Sequence, residues 1–378
     1  MKNRIDKYIA KRDKRPDCRI VLSGGGTLGS VIPLLALENM VRQERPEVEF
    51  SWIITRKGPE NEFIRKYYRD NGLELDVYRL ATVKLRRYFS LENIRDMIKA
   101  PFVLIYTISL LAKLRPDIVI TAGGFVSVPV HIAAKFFGIK SWVHQQDVLV
   151  GLSNKIMARS ANLVTSVFPL DNISNQPVEK IGNFISNYQA VAIDEKWHDS
   201  IRPNLPVILV TGGGLGADRI NQLVFGLVDK LSQKANIFHQ TGKENYAQSR
   251  AYSHKYPTYH SFQHLARDEF QAILEMADLV VGRGGLSTLT EIATFAKPSI
   301  IITKQGHQTE YNAKYLDQLG AIVWIKEEDL DSDKLLKIIE DLIKDQPRRV
   351  KLASAVNQSI DIADQDQVTS KIDELLSK

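Results

Sequence analysis

At 378 residues, with 44% hydrophobic and 25% charged side chains, the chain has the composition of a globular protein large enough for two cores. A net charge of +6 is modest; it favours anionic partners such as phosphates or an acidic leaflet, and without aromatic-interleaved basic runs it argues against nucleic acid. The lone Cys18 excludes an intramolecular disulfide and suits a reducing compartment, residues 1–17 lack the apolar stretch of a secretory signal, and no run approaches the roughly 18 apolar residues of a spanning helix.

Arg19 to Ser23 reads as a short buried strand that runs into Gly24-Gly25-Gly26-Thr27-Leu28-Gly29-Ser30 and then into a helix over Val31 to Val41. Glycines at 24, 26 and 29 satisfy G-x-G-x-x-G in the strand-to-helix context that the motif needs. The second strand, Val48 to Ile54, ends in Thr55-Arg56-Lys57, so the acidic ribose reader of a dinucleotide fold is missing. Between Lys84 and Leu114 a basic cluster (Lys84, Arg86, Arg87, Arg95, Lys99) precedes about twelve apolar-dominated residues. That is too short to span a bilayer; it fits either a core helix with a solvated basic edge or a helix resting on an anionic membrane face. Asp117 to Thr121 is a strand followed by a second glycine turn at Ala122-Gly123-Gly124, and Ser141 to His144 is another, with Gln145-Gln146-Asp147 beyond its carboxyl end.

The pattern loosens between Asn183 and Asn204, where a domain boundary is expected. The predicted domains are 1–185 and 204–350, with 351–378 as a helical tail. After the boundary the opening unit repeats: strand Pro206 to Thr211, turn Gly212-Gly213-Gly214-Leu215-Gly216-Ala217, helix Asn221 to Leu231. Such duplication of a doubly wound α/β unit makes a ligand cleft between two halves. Further strands read at Asn236 to Gln240, Leu279 to Val281, Ser299 to Thr303 and Ile322 to Ile325.

The segment Val281 to Glu291, V-G-R-G-G-L-S-T-L-T-E, carries the most chemistry. Glycines let a ligand approach the backbone, and a helix starting at Leu286 points its first amides at whatever is bound. Ser287, Thr288 and Thr290 add hydroxyls, and Glu291 lies one turn in, where a carboxylate can accept from a ribose. His144 stands at a strand end and is either a site residue or a core histidine. His307-Gln308 follows a strand and a glycine, on a loop expected to face the ligand. No zincin, Walker or nucleophile-elbow motif is present, and the D-x-D pairs at 329/331, 331/333 and 364/366 lie in the charged C-terminal region, so no metal site is expected.

Taken together, G-G-G-T-L-G-S-V-I-P (24–33), K-L-R-R-Y-F-S (84–90), K-A-P-F (99–102), R-P-D-I-V-I-T-A-G-G-F-V-S-V-P (115–129), H-Q-Q-D-V-L-V-G-L-S-N-K (144–155), T-G-G-G-L-G-A (211–217), R-G-G-L-S-T-L-T-E (283–291) and H-Q-T-E-Y-N-A (307–313) resemble the MurG-type transferases, which add N-acetylglucosamine to lipid I of bacterial peptidoglycan. The resemblance covers nearly the whole chain. It implies a GT-B fold of two Rossmann-like domains facing a cleft, and inversion at the anomeric carbon without a nucleotide-bridging metal or other cofactor. It also implies a peripheral protein at the cytoplasmic membrane face, with UDP-N-acetylglucosamine and a lipid-linked muramyl-peptide diphosphate as substrates.

By the same resemblance Leu286, Ser287, Thr288, Leu289, Thr290, Glu291 and Gln308, with Arg283 in the motif, hold the donor. Thr27, Leu28 and Gly29 face the donor sugar and acceptor diphosphate. Some positions depart from the family's pattern: Ser30 stands where histidine is usual, Gln145 where glutamate is common, Asp147 where asparagine is frequent, and Ser186 and Gly214 where arginine and serine are often ligands. An unassisted serine is a weak acceptor for a hydroxyl proton. The expected catalytic set is therefore His144, Asp147 and Ser30, with His144 slightly favoured as base. A transferase for another lipid acceptor, or a relative that binds nucleotide-sugar without turnover, remain the alternatives.

Overall fold

The computed structural model describes residues 18–81, 91–185, 201–213 and 216–377, with backbone alone at 91–95 and 97. They form two compact α/β units. In the first, β1 (Arg19–Ser23), α1 (Ile32–Glu44), β2 (Glu49–Thr55), α2 (Glu60–Asp70), β3 (Val77–Leu80), α3 (Leu91–Leu114), β4 (Ile118–Thr121), α4 (Ser127–Phe136), β5 (Lys140–Gln145), α5 (Leu152–Ala158) and β6 (Leu163–Ser166) alternate along the chain. A two-stranded hairpin, β7 (Asn172–Ile173) and β8 (Gln176–Pro177), precedes β9 (Glu179–Lys180). The sheet order is β3-β2-β1-β4-β5-β6-β9, every pair parallel. Strands such as Ile118–Thr121 are buried along their whole length, which is why they read as unbroken apolar runs rather than alternating ones.

The second unit contains β10 (Val207–Thr211), α6 (Asp218–Phe225), α7 (Val228–Leu231), β11 (Asn236–Gln240), α8 (Tyr246–Lys255), β12 (Tyr259–Phe262), α9 (Arg267–Met276), β13 (Leu279–Gly282), α10 (Leu286–Thr294), β14 (Ser299–Thr303), α11 (Gln308–Gln318), β15 (Val323–Lys326), α12 (Ser332–Lys344) and α13 (Gln346–Asn357). Its order is β12-β11-β10-β13-β14-β15, again all parallel. The helix predicted over Asn221 to Leu231 is two short ones, because Gly226 and Leu227 interrupt it. Asp331 caps α12 by accepting from the Lys334 N–H at 2.8 Å, and Asp345 caps α13 by accepting from the Arg348 N–H at 3.0 Å.

The segment 351–378, set apart as a tail in the sequence reading, divides between the units. Residues to Asp361 stay with the second, where Asn357 Nδ2 donates to the Ala293 carbonyl at 2.9 Å. The last helix, α14 (Gln365–Ser377), belongs to the first. Ala363, Val368, Ile372 and Leu375 enter the same cluster as Leu34, Trp52 and Trp142, and Lys371 pairs with Glu179 at 2.7 Å. An apolar stripe this well matched to α1 is core, and burying Val368, Ile372 and Leu375 is worth several kcal/mol at roughly 1.5–3 kcal/mol for each large side chain.

Candidate functional site

In parallel α/β sheets, ligands gather outside the carboxyl ends of the strands. In the first unit that end is built by β1, β2 and β4. The Ser23 carbonyl accepts from Thr121 Oγ1 at 2.7 Å and Ser127 Oγ at 2.9 Å, which ties the first glycine turn to the second. The turn has a buried base and an exposed tip: Gly24, Gly25 and Ser30 are buried, whereas Gly26, Thr27 and Gly29 are open to solvent and Leu28 is half-buried. Ser30 does not face outward. Its Oγ accepts from the Gly25 N–H at 3.0 Å, so it serves as an internal cap, and the expectation that Ser30 takes part in catalysis is corrected.

His144 also changes role. The sequence places it as the last residue of its strand, either at the site or in the core. In the structure β5 continues to Gln145, so His144 lies within the sheet layer, fully buried. Nδ1 meets Thr165 Oγ1 at 2.9 Å, the ring lies 4.2 Å from that of Phe184, and Nε2 has no hydrogen-bond partner among the described residues. Burial pushes its pKa down to about 3. An imidazole shut away from solvent and this reluctant to protonate is a core histidine, not a general base.

The second unit presents two glycine turns. At the first, Gly213 N–H donates to Thr211 Oγ1 at 3.0 Å, and Gln240 joins the turn to the loop after β12: Nε2 donates to the Gly213 carbonyl at 3.2 Å while Oε1 accepts from Leu265 N–H at 2.9 Å. Gly216 is obligatory, since a Cβ there would sit 2.4 Å from the Thr241 carbonyl oxygen. Gly214 and Ser186, two of the expected ligands, lie outside the described residues.

At the other turn, Gly285 is the N-cap of α10 and no side chain among the described residues caps the helix, so its first-turn amides are open to an anion. Gly284 packs so tightly that a Cβ would lie 2.6 Å from the Thr309 carbonyl oxygen. Arg283 is held at 2.9 Å by Glu327, both partly buried. Ser287 is exposed and Thr288 half-buried, as a ligand-facing pair should be. Leu286, Leu289 and Thr290 point inward instead: the Thr290 hydroxyl donates to the Leu286 carbonyl at 2.8 Å and the Leu289 N–H to the Gly285 carbonyl at 3.0 Å, which leaves Leu286 only its backbone amide to offer. Glu291 is partly buried, and desolvation, opposed by the Arg267 guanidinium, raises its carboxyl to about 7. Gln308 is exposed at the start of α11, beside the His307 cap.

One residue inside a motif quoted above was not singled out from the sequence. Asn312, fully buried on α11, donates from Nδ2 to Asp147 Oδ1 at 2.8 Å and to the Gly284 carbonyl at 3.4 Å, and accepts from Val148 N–H at 2.9 Å. Asp147–Leu149 accordingly groups with the second unit. Asp147 stays partly accessible, and burial raises its pKa against the opposing pull of the Asn312 hydrogen bond and of His307. A partly solvated carboxylate of raised basicity, fixed to the turn that starts α10, is equipped to take a proton. Among the described residues no group of three or more potential ligands could hold a metal ion.

Residues 20–166 match the Glycosyltransferase family 28 N-terminal domain and residues 207–365 the Glycosyltransferase family 28 C-terminal domain. A UDP-N-acetylglucosamine--N-acetylmuramyl-(pentapeptide) pyrophosphoryl-undecaprenol N-acetylglucosamine transferase of Streptococcus pneumoniae (strain Hungary19A-6) is 33% identical, over 86% of this chain and 91% of its own. One of the same name from Clostridium perfringens (strain 13 / Type A) is 30% identical, over 91% and 97%. Among solved structures, Acinetobacter baumannii MurG superposes with a TM-score of 0.71 at 23% identity, covering 96% of this chain and 100% of that one. The spinosyn forosaminyltransferase SpnP gives 0.68 at 12%, covering 96% and 100%. At those identities the structures speak for the fold, which is GT-B.

Proposed function

The chain belongs to glycosyltransferase family 28, and on that premise we propose that it transfers N-acetylglucosamine from UDP-N-acetylglucosamine to the undecaprenyl-diphosphate-linked muramyl pentapeptide, lipid I, forming lipid II. The observation that carries the reading is the uncapped N-terminus of α10 with Glu291 one turn along it and, tied to the same turn through Asn312, the carboxylate of Asp147. The helix amides receive the UDP diphosphate, and Glu291 accepts from the ribose hydroxyls. The acceptor hydroxyl oxygen bonds to the anomeric carbon from the face opposite UDP, and the bond to the β-phosphate oxygen breaks with its electron pair. The hydroxyl proton passes to Asp147. Positioning and stabilisation of the departing diphosphate supply most of the acceleration.

The acceptor's lipid calls for a membrane-facing surface, and α3 and α4 carry features that suit one. Ile98, Phe102, Ile105 and Tyr106 are 65%, 70%, 64% and 52% exposed, at the i, i+4, i+7, i+8 spacing of one helix face. On α4, which packs against α3, Ile132 and Phe136 are exposed, followed by Phe137. Lys99 is half-buried, and Lys113 and Lys135 are exposed on the same two helices. Neither alternative from the sequence is complete: Val103, Thr107, Leu110 and Leu111 are core, while the opposite face is an apolar stripe in solvent. No described helix is long and apolar enough to cross a membrane. This pattern supports peripheral attachment to the anionic cytoplasmic leaflet. Arg86 and Arg87 of the basic cluster lie outside the described residues.

The test is acceptor-dependent UDP release. A short-chain lipid I analogue should stimulate it, and a polyprenyl phosphate or diacylglycerol should not; the reverse preference would assign another acceptor.

A further inference from the structure

We infer that Glu60 is a positioning residue for the acceptor side of the reaction, acting through the first glycine turn; this rests on the transferase reading above. Glu60 opens α2 and is completely buried. Its Oε1 accepts from the Gly26 N–H at 3.2 Å and from Thr55 Oγ1, while Oε2 has no hydrogen-bond partner among the described residues. Two glycines make room for the carboxylate: a Cβ at Gly58 would lie 2.2 Å from Oε2, and one at Gly25 would lie 2.7 Å from Oε1. A carboxylate buried in a niche of this kind, with one oxygen unpartnered among the described residues, is costly, which points to a role for its position.

The consequence falls on the turn. In a glycine-rich phosphate cradle the amides face the anion. Here Gly25 N–H is committed to Ser30 and Gly26 N–H to Glu60, so these two amides are withheld from any ligand. The exposed tip, Gly26 to Gly29, is left to meet its substrate through Thr27 and the backbone beyond it. Glu60 sets where that tip stands, and the diphosphate of the donor is left to α10 in the other unit.

Three variants test this. Glu60→Ala removes the clamp, and Glu60→Gln keeps an acceptor for Gly26 N–H. Gly58→Ala displaces the carboxylate without removing it, at a backbone angle outside the positive-φ region. Glu60→Ala and Gly58→Ala should each raise the KM for a lipid I analogue about tenfold or more and leave UDP-N-acetylglucosamine affinity within about twofold, with Glu60→Gln near wild type. Their double variant should be no worse than Glu60→Ala alone. Equal loss of donor affinity, acceptor KM and Tm would reduce Glu60 to a structural residue and overturn the inference, as would an unchanged acceptor KM in Glu60→Ala. Hydrogen exchange over the peptide spanning 24–31 separates this from the transferase reading. If wild type forms no product that reading fails, yet Gly26 should still exchange faster in Glu60→Ala; unchanged exchange refutes the clamp.

Discussion

Asn312 holds Asp147 by a 2.8 Å hydrogen bond from Nδ2 to Oδ1, and the same amide group reaches the carbonyl of Gly284 in the turn that starts α10. The proposed base and the donor-binding turn are thereby fixed to one buried side chain. Asp147→Asn should lower turnover by about 10²–10⁴ and leave UDP-N-acetylglucosamine affinity nearly unchanged, as for loss of a general base. Stopped-flow or steady-state kinetics beside calorimetry would show it; a variant with more than a tenth of wild-type turnover would acquit Asp147.

His144 should behave oppositely. His144→Gln removes a buried packing and hydrogen-bonding partner of Phe184 and Thr165, at a cost of about 1–3 kcal/mol in stability, with turnover per folded molecule retained within severalfold. A large fall in kcat with unchanged Tm would restore His144 as the base.

Acid should destabilise the protein early. Burial lowers His131, His144 and His239 from 6.5 to about 3, so all three stay neutral in the folded chain while the unfolded chain takes up protons. Their contribution is fully present above about pH 6.5 and falls as pH drops toward about 3, by at most about 1.4 kcal/mol per pH unit for each histidine. Denaturant titrations between pH 7 and 5 should show it, with a shallower slope in His131→Gln; a pH-independent midpoint would contradict it.

Glu291 carries the opposite sign. Its carboxyl, raised from 4.5 to about 7, makes the folded state bind the extra proton, so this group's favourable contribution is present at low pH and is lost as pH rises from 4.5 through 7. Glu291→Gln should therefore raise the Tm of the ligand-free protein at pH 8 while weakening UDP-N-acetylglucosamine by roughly 1.5–3 kcal/mol, since the charged acceptor of a ribose hydroxyl is lost. Wild-type affinity should also decline below about pH 7. A variant that binds the donor as well as wild type would move the ribose elsewhere.

On the membrane side, Phe102→Asp and Phe136→Asp remove 70% and 71% exposed aromatic rings without touching a core. Each should weaken co-sedimentation with anionic vesicles by about 1.5–3 kcal/mol and leave turnover of a detergent-soluble acceptor unchanged. Equal sedimentation of variant and wild type would make the stripe an ordinary surface.

Much of the frame was legible because buried parallel strands carry apolar centres and lead into turns that contain glycine: Arg19–Ser23, Asn236–Gln240 and Ser299–Thr303 fall where the sequence places them. His144 was misjudged for a geometric reason. One further strand residue, Gln145, turned a rim position into a core one, and a run of four apolar and polar residues cannot reveal that. Glu60 and Gly26 are separated by 34 residues, and only the adjacency of β1 and β2 brings them together. Asn312 lay within a recognised motif, yet its bond to Asp147 spans 165 positions and leaves no periodicity to read. Thr290 looked like a ligand hydroxyl because composition does not tell which face of α10 turns inward.

The most direct test supplies wild-type protein with UDP-N-acetylglucosamine and vesicles carrying a short-chain lipid I, and follows the glycolipid by mass spectrometry and NMR. The prediction is a lipid that gains one N-acetylglucosamine, β-linked, in step with UDP release. Donor binding by calorimetry with no glycolipid formed would contradict it and leave a nucleotide-sugar-binding relative without turnover.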